Sequence, residues 1–139
     1  MVLAALAAMC IAMANTAVVI ASALRASDTA HLRYVSASGS SLFEDGRATG
    51  TLPGTMRVHF DVGPTMSGTF TIDARGGSIN GHGNARLHGA GVYESFHGTI
   101  VVSGGSGRYA HAHGTALLYG TFDRENYALV VQTLGTLYF

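Results

Sequence analysis

Met66-Ser67-Gly68-Thr69-Phe70-Thr71-Ile72-Asp73 alternates two kinds of residue without a break. Side chains along a strand point to opposite faces in turn, so Met66, Gly68, Phe70 and Ile72 share one face and Ser67, Thr69, Thr71 and Asp73 the other. The same period runs outward in both directions. Upstream, Met56, Val58, Phe60 and Val62 oppose Thr55, Arg57, His59 and Asp61 before Gly63-Pro64 breaks the run. Downstream, Arg75-Gly76-Gly77-Ser78 turns the chain into Ile79, Gly81, Gly83, Ala85 and Leu87 against Asn80, His82, Asn84, Arg86 and His88. A turn at Gly89-Ala90-Gly91 then leads to Phe96, Gly98, Ile100 and Val102, and Gly104 to Gly107 lead to Ala110, Ala112, Gly114, Ala116, Leu118, Gly120 and Phe122. A tight loop at Asp123–Asn126 precedes Tyr127, Leu129, Val131, Gly135, Leu137 and Phe139.

Seven Gly-Thr dipeptides, at Gly50, Gly54, Gly68, Gly98, Gly114, Gly120 and Gly135, punctuate these runs. In almost every case the glycine falls in phase with the bulky apolar residues. Glycine within a strand marks a bend or a close backbone approach, as the inner wall of a small barrel requires. Two further strands, near Leu32–Ala37 and Arg47–Leu52, bring the count to eight. The expected fold is all-β: an eight-stranded antiparallel up-and-down barrel over residues 31–139, closed so that no edge is left to aggregate.

The N-terminus reads differently. Met1 to Leu24 carries no charged residue and is rich in Ala, Val, Met and Ile, so an apolar helix is expected there. Residues 1–26 read as a signal peptide, with Ala21 and Ala23 in an A-x-A arrangement, or as a membrane anchor long enough to span a bilayer. Export is the expectation, and with it a secreted or extracytoplasmic location. The 139 residues make one domain of zero formal charge, with eight Arg and no Lys, which leaves no electrostatic footprint for nucleic acid. Cys10, the single cysteine, lies in the apolar segment, so the barrel has no disulfide and no thiol nucleophile.

The stretch Gly98-Thr-Ile-Val-Val-Ser-Gly-Gly-Ser-Gly-Arg-Tyr-Ala-His-Ala-His-Gly114 resembles a signature of allene oxide cyclase and dirigent-type barrels. Those families carry a similar Gly-Gly-Thr-Gly-aromatic turn, then a small residue and a glycine before a long hairpin, and the likeness covers Phe96 to Phe139. The resemblance implies an eight-stranded antiparallel barrel, commonly a trimer, whose apolar lumen guides a reactive hydrophobic substrate. The polar residues that such proteins hold inside the barrel do not carry over by motif. Here the inward phase offers Tyr127 and Thr133 and little else that is polar.

The inner row therefore carries the functional expectation. Phe60, Phe70, Phe96, Ile100, Leu118, Phe122, Tyr127, Leu129 and Val131 are the residues that would line a lumen for a small hydrophobic molecule. Phenylalanines either fill the volume left by the glycines or leave a cavity. Glu44, Asp45 and Glu94 are read at strand ends or loops, so no inward acid or base is expected, and binding of a small hydrophobic molecule, or service as an oligomeric structural module, is favoured over catalysis. A cyclase or isomerase working in the lumen is the alternative. An inverted barrel, with glycine and aliphatic residues facing lipid as in an outer-membrane protein, is another.

Histidine is the one candidate for metal. A hairpin about Ser103–Arg108 would set His97 opposite His113, with His111 two residues along, which is facial zinc spacing. No acid or thiolate stands beside them and that phase faces water, so neither a metal nor any other cofactor is expected. Arg57 and Asp73 are expected opposite each other as a surface pair. The outward phase of the last hairpin carries Leu117, Tyr119, Val130, Leu134 and Tyr138, an apolar patch that points to a homo-oligomer.

Overall fold

The protein is described by a computed structural model that covers residues 22–139. Eight strands follow one another: β1 (Ala23–Ser38), β2 (Ser41–Gly50), β3 (Gly54–Asp61), β4 (Thr65–Ala74), β5 (Gly77–His88), β6 (Tyr93–Gly105), β7 (His113–Asp123) and β8 (Leu129–Tyr138). Each pairs antiparallel with the next, and β1 also pairs with β8, which closes the barrel. The expected all-β, eight-stranded architecture is the one observed. Among the described residues, no helix is long and apolar enough to cross a membrane.

The alternation decides which way each face points. Met56, Phe60, Met66, Phe70, Ile79, Phe96, Phe122 and Leu129 are buried inside, while Arg57, His59, His82, Arg86, His97 and His113 are exposed outside. Fully burying a large apolar side chain stabilises the fold by roughly 1.5–3 kcal/mol, so the inner row as a whole fixes the register.

Boundaries differ from the sequence reading at three places, each for a local reason. β1 begins at Ala23, and Ala23 to Ala26 pair with Tyr138 to Gly135, so the barrel starts before residue 31. The expected N-terminal helix of residues 1–26 otherwise falls outside the described residues. β2 occupies Ser41–Gly50 instead of Arg47–Leu52, because Gly39, at φ +61, lets Ser38 and Ser41 close a two-residue hairpin. β7 begins at His113 instead of Ala110, since the chain first makes a 3-10 turn over Gly107–Tyr109 that buries Tyr109.

Candidate functional site

The inward row does not fill the barrel completely. An upper chamber of about 70 Å³ lies among β3 to β8, and a lower one of about 40 Å³ lies towards the start of β1. The upper chamber borders Gly68 on β4 and Gly83 on β5, which stand directly opposite each other and present bare main chain to the lumen. Phe60, Phe70, Phe96, Ile100, Leu118, Leu129 and Val131 line this chamber. Both chambers are smaller than the cavity of about 150 Å³ that accommodates benzene in a protein core.

Two residues of the expected lining sit elsewhere. Phe122 is packed solid in the core, edge-on to Phe60 with ring centroids 6.3 Å apart. Tyr127 is not on a strand: it lies in the β7–β8 loop at φ +60 and is 41% exposed. The loop's Asp123 and Asn126 accept hydrogen bonds from the main-chain N–H groups of Glu125 and Ala128, which bends the chain before β8 can start. Tyr127 instead leans outside the lumen on Tyr34 and Phe122, at 5.7 and 6.2 Å between ring centroids.

The residue that sequence reasoning missed is Glu44. It stands mid-strand in β2, between Tyr34 on β1 and Val58 on β3, and is only 2% exposed. Leu42, Gly46 and Ala48 share its phase, so its carboxyl points into the barrel beside Val58, which itself lines the upper chamber. Neither carboxyl oxygen has a hydrogen-bond partner. Burial alone pushes its pKa up to about 7. The protonated carboxyl offers one O–H donor and accepts at its carbonyl, while the carboxylate only accepts. A buried polar group left unpaired costs about 1–3 kcal/mol, which a bound ligand could recover.

Two other acids face inward at the ends. Glu94, near the start of β6, is 8% exposed and accepts a hydrogen bond from Arg124 of the β7–β8 loop at 2.8 Å. Asp28 borders the lower chamber, and its Oδ1 accepts from the Leu52 main-chain N–H at 2.7 Å. Burial raises the Asp28 pKa, against the lowering effect of hydrogen bonds from Leu52 and Thr51. Glu94 lies at a strand end as expected but faces inward, whereas Glu44 lies within β2 and leaves an unpaired acid inside the barrel.

On the outer wall the histidines do not assemble. β6 continues to Gly105 and the 3-10 turn follows, so His97 faces Tyr119 and His113 faces Tyr138. His111 lies in the turn, where its carbonyl meets the His113 ring. Among the described residues, no group of three or more metal-binding side chains is placed to hold an ion. His97 stacks instead on His88, ring centroids 4.4 Å apart, and stands opposite Arg86. Arg57 stands opposite Thr71 and reaches Asp73 diagonally at 2.5 Å, so that pair forms through a register different from the expected one. Leu117 and Leu134 are cross-strand neighbours, both exposed, with Tyr119 and Tyr138 exposed nearby and Val130 half-buried. No protein-family model, curated protein or solved structure matches the chain.

Proposed function

We propose that the barrel binds a small, largely apolar molecule in its lumen, held by one polar anchor, the carboxyl of Glu44. The observation that carries this reading is an orphaned, fully buried carboxyl that is one residue removed from an incompletely filled apolar chamber, opposite Val58 of its lining. Buried polar groups are almost always paired, and an exception of this kind marks a site that something else satisfies. The volume limits the ligand to about three carbons by proportion to the benzene cavity. Export and self-association through Leu117, Tyr119, Val130, Leu134 and Tyr138 belong to the same proposal. Arg57, Asp73, Arg86 and His97 on the outer wall argue against a lipid-facing exterior.

Titrating the protein with 1-propanol, followed by methyl chemical shifts of the lumen residues, tests this. Saturable shifts at Leu118 and Val131 are expected, and Glu44→Leu should weaken binding about tenfold through loss of the hydrogen bond. Absence of saturation, or equal binding by both proteins, overturns it. Sedimentation of Leu117→Arg beside the wild type tests the oligomer: a lower mass for the variant supports it, and two monomers refute it.

A second reading is favoured by the pKa near 7 of Glu44, which suits a general acid or base at neutral pH. An isomerase would use the carboxyl to move a proton within a reactive hydrophobic substrate. Under that reading Glu44→Gln keeps ligand occupancy and loses conversion; loss of neither leaves binding as the function.

A further inference from the structure

Phe70 on β4 and Ile100 on β6 are the two large side chains that border both chambers. Each stands opposite a glycine of β5: Phe70 faces Gly81 and Ile100 faces Gly83. A Cβ added at Gly81 would lie 2.9 Å from the Phe70 ring, and one at Gly83 would lie 2.6 Å from a methyl of Ile100. The glycines of β5 are thus where these two side chains rest, and the sequence of that strand fixes where the partition between the chambers stands. An interior packed with rotamer-locked side chains changes shape by discrete steps, not continuously, so a partition of this kind sets a sharp limit.

We propose that Phe70 and Ile100 determine ligand length: the lumen accepts a molecule confined to the upper chamber and excludes the extension that would enter the lower one. This rests on the lumen-binding reading and adds a specificity rule to it. The ligand class is a short, unbranched aliphatic chain with a hydroxyl or carbonyl oxygen. Asp28, whose carboxyl already accepts the Leu52 N–H, lines the lower chamber and takes no part in the upper one.

The test is a series of primary alcohols from ethanol to 1-heptanol, titrated against the full-length wild type, Phe70→Ala and Ile100→Val. Each methylene buried in an apolar site should strengthen binding about fourfold. In the wild type the rise should stop at about three carbons, the length the upper chamber holds. In Phe70→Ala the rise should continue for at least two further carbons, and Ile100→Val should extend it by less. Ile100→Val is the milder change and keeps the test open if Phe70→Ala does not fold. A wild-type series that climbs to 1-heptanol without a break, or the same break in every protein that folds, overturns the partition while leaving lumen binding standing. Absence of saturable binding by every alcohol in every protein overturns the lumen reading itself, and the length rule with it.

Discussion

Glu44 and Glu94 are both glutamates on the inward face, 2% and 8% exposed, and their surroundings could hardly differ more. Glu94 sits where β6 enters the barrel mouth, within reach of the β7–β8 loop, and Arg124 meets it at 2.8 Å. Glu44 sits mid-strand, where only inward side chains can reach it. Of its neighbours in that row, Leu32, Leu42, Gly46 and Val58 carry no hydrogen-bond donor in their side chains, and Tyr34, directly opposite on β1, carries a hydroxyl that does not bond to the carboxyl. A mouth acid can be answered by a loop; an acid facing inward from within a strand is answered by another inward side chain, a water or a ligand. The difference separates an acid that the fold satisfies from one that it leaves unpaired.

The largest effect that would sharpen this contrast is a pH dependence. The Glu44 pKa is raised from 4.5 to about 7, so the folded state binds its proton more tightly than the unfolded state does. Below about pH 4.5 both states are protonated and the group has no effect on stability. Between 4.5 and 7 a penalty develops, and above 7 it is complete, at about 3 kcal/mol by linkage. Denaturant titrations of the wild type and Glu44→Gln at pH 4.5 and pH 8 should therefore diverge: the wild type loses about 3 kcal/mol more across that interval than the variant. Parallel pH profiles would show that water or a partner already satisfies the carboxyl, and the contrast with Glu94 would disappear.

Why Glu44 escaped the sequence reading is a matter of where its strand begins. Within β3, β4 and β5, bulky residues fall on one parity and hydrogen-bonding ones on the other, so facing is readable there from Met56, Phe60, Phe70 and Ile79 alone. The strand expected over Arg47–Leu52 starts too late to include Glu44, so the carboxyl reads as a strand-end or loop acid. The hairpin at Gly39 settles it the other way, and Phe43 stacks outside on His59 at 4.0 Å. Leu42, Gly46 and Ala48 on the parity of Glu44 are the signal that could have found it. The histidine pairing failed for a similar reason. A turn built from glycines and Arg108-Tyr109 can absorb residues into a 3-10 segment, and the register of β7 depends on how many it absorbs. The chambers are not legible at all from sequence, because a few tens of Å³ depend on rotamers and not on pattern.

The mouth acid should respond to charge removal in a way Glu44 cannot. Arg124→Ala leaves Glu94 inward-facing without its partner and is expected to lower stability at pH 7, measured by urea denaturation. The guanidinium is itself half-exposed, which keeps the loss below that of a fully buried pair. No change on Arg124→Ala would place Glu94 with the solvent-exposed acids and remove one side of the comparison. Asp28→Ala comes next, at about 1 kcal/mol, since it unties the Leu52 N–H from β1 at the lower end. Amide exchange at Leu52 should accelerate in the same variant, and an unchanged rate would mean that the neighbouring Thr51–Ser27 main-chain bond holds that loop alone.

Outside the barrel the same charges lose most of their weight, and Arg57→Ala measures how much. Arg57 and Asp73 form the shortest ion pair of the described residues, yet their side chains are 60% and 47% exposed. High dielectric and the entropy of holding a long side chain in place limit such a pair to less than about 0.5 kcal/mol, and salt screens it further. The expected loss in urea stability is therefore within that bound at low salt and vanishes at about 0.5 M sodium chloride. A salt-insensitive loss of more than 1 kcal/mol would mean that geometry, not burial, governs charge energetics on this scaffold. Glu44 would then be no more exposed to selection for a ligand than any acid on the outer wall.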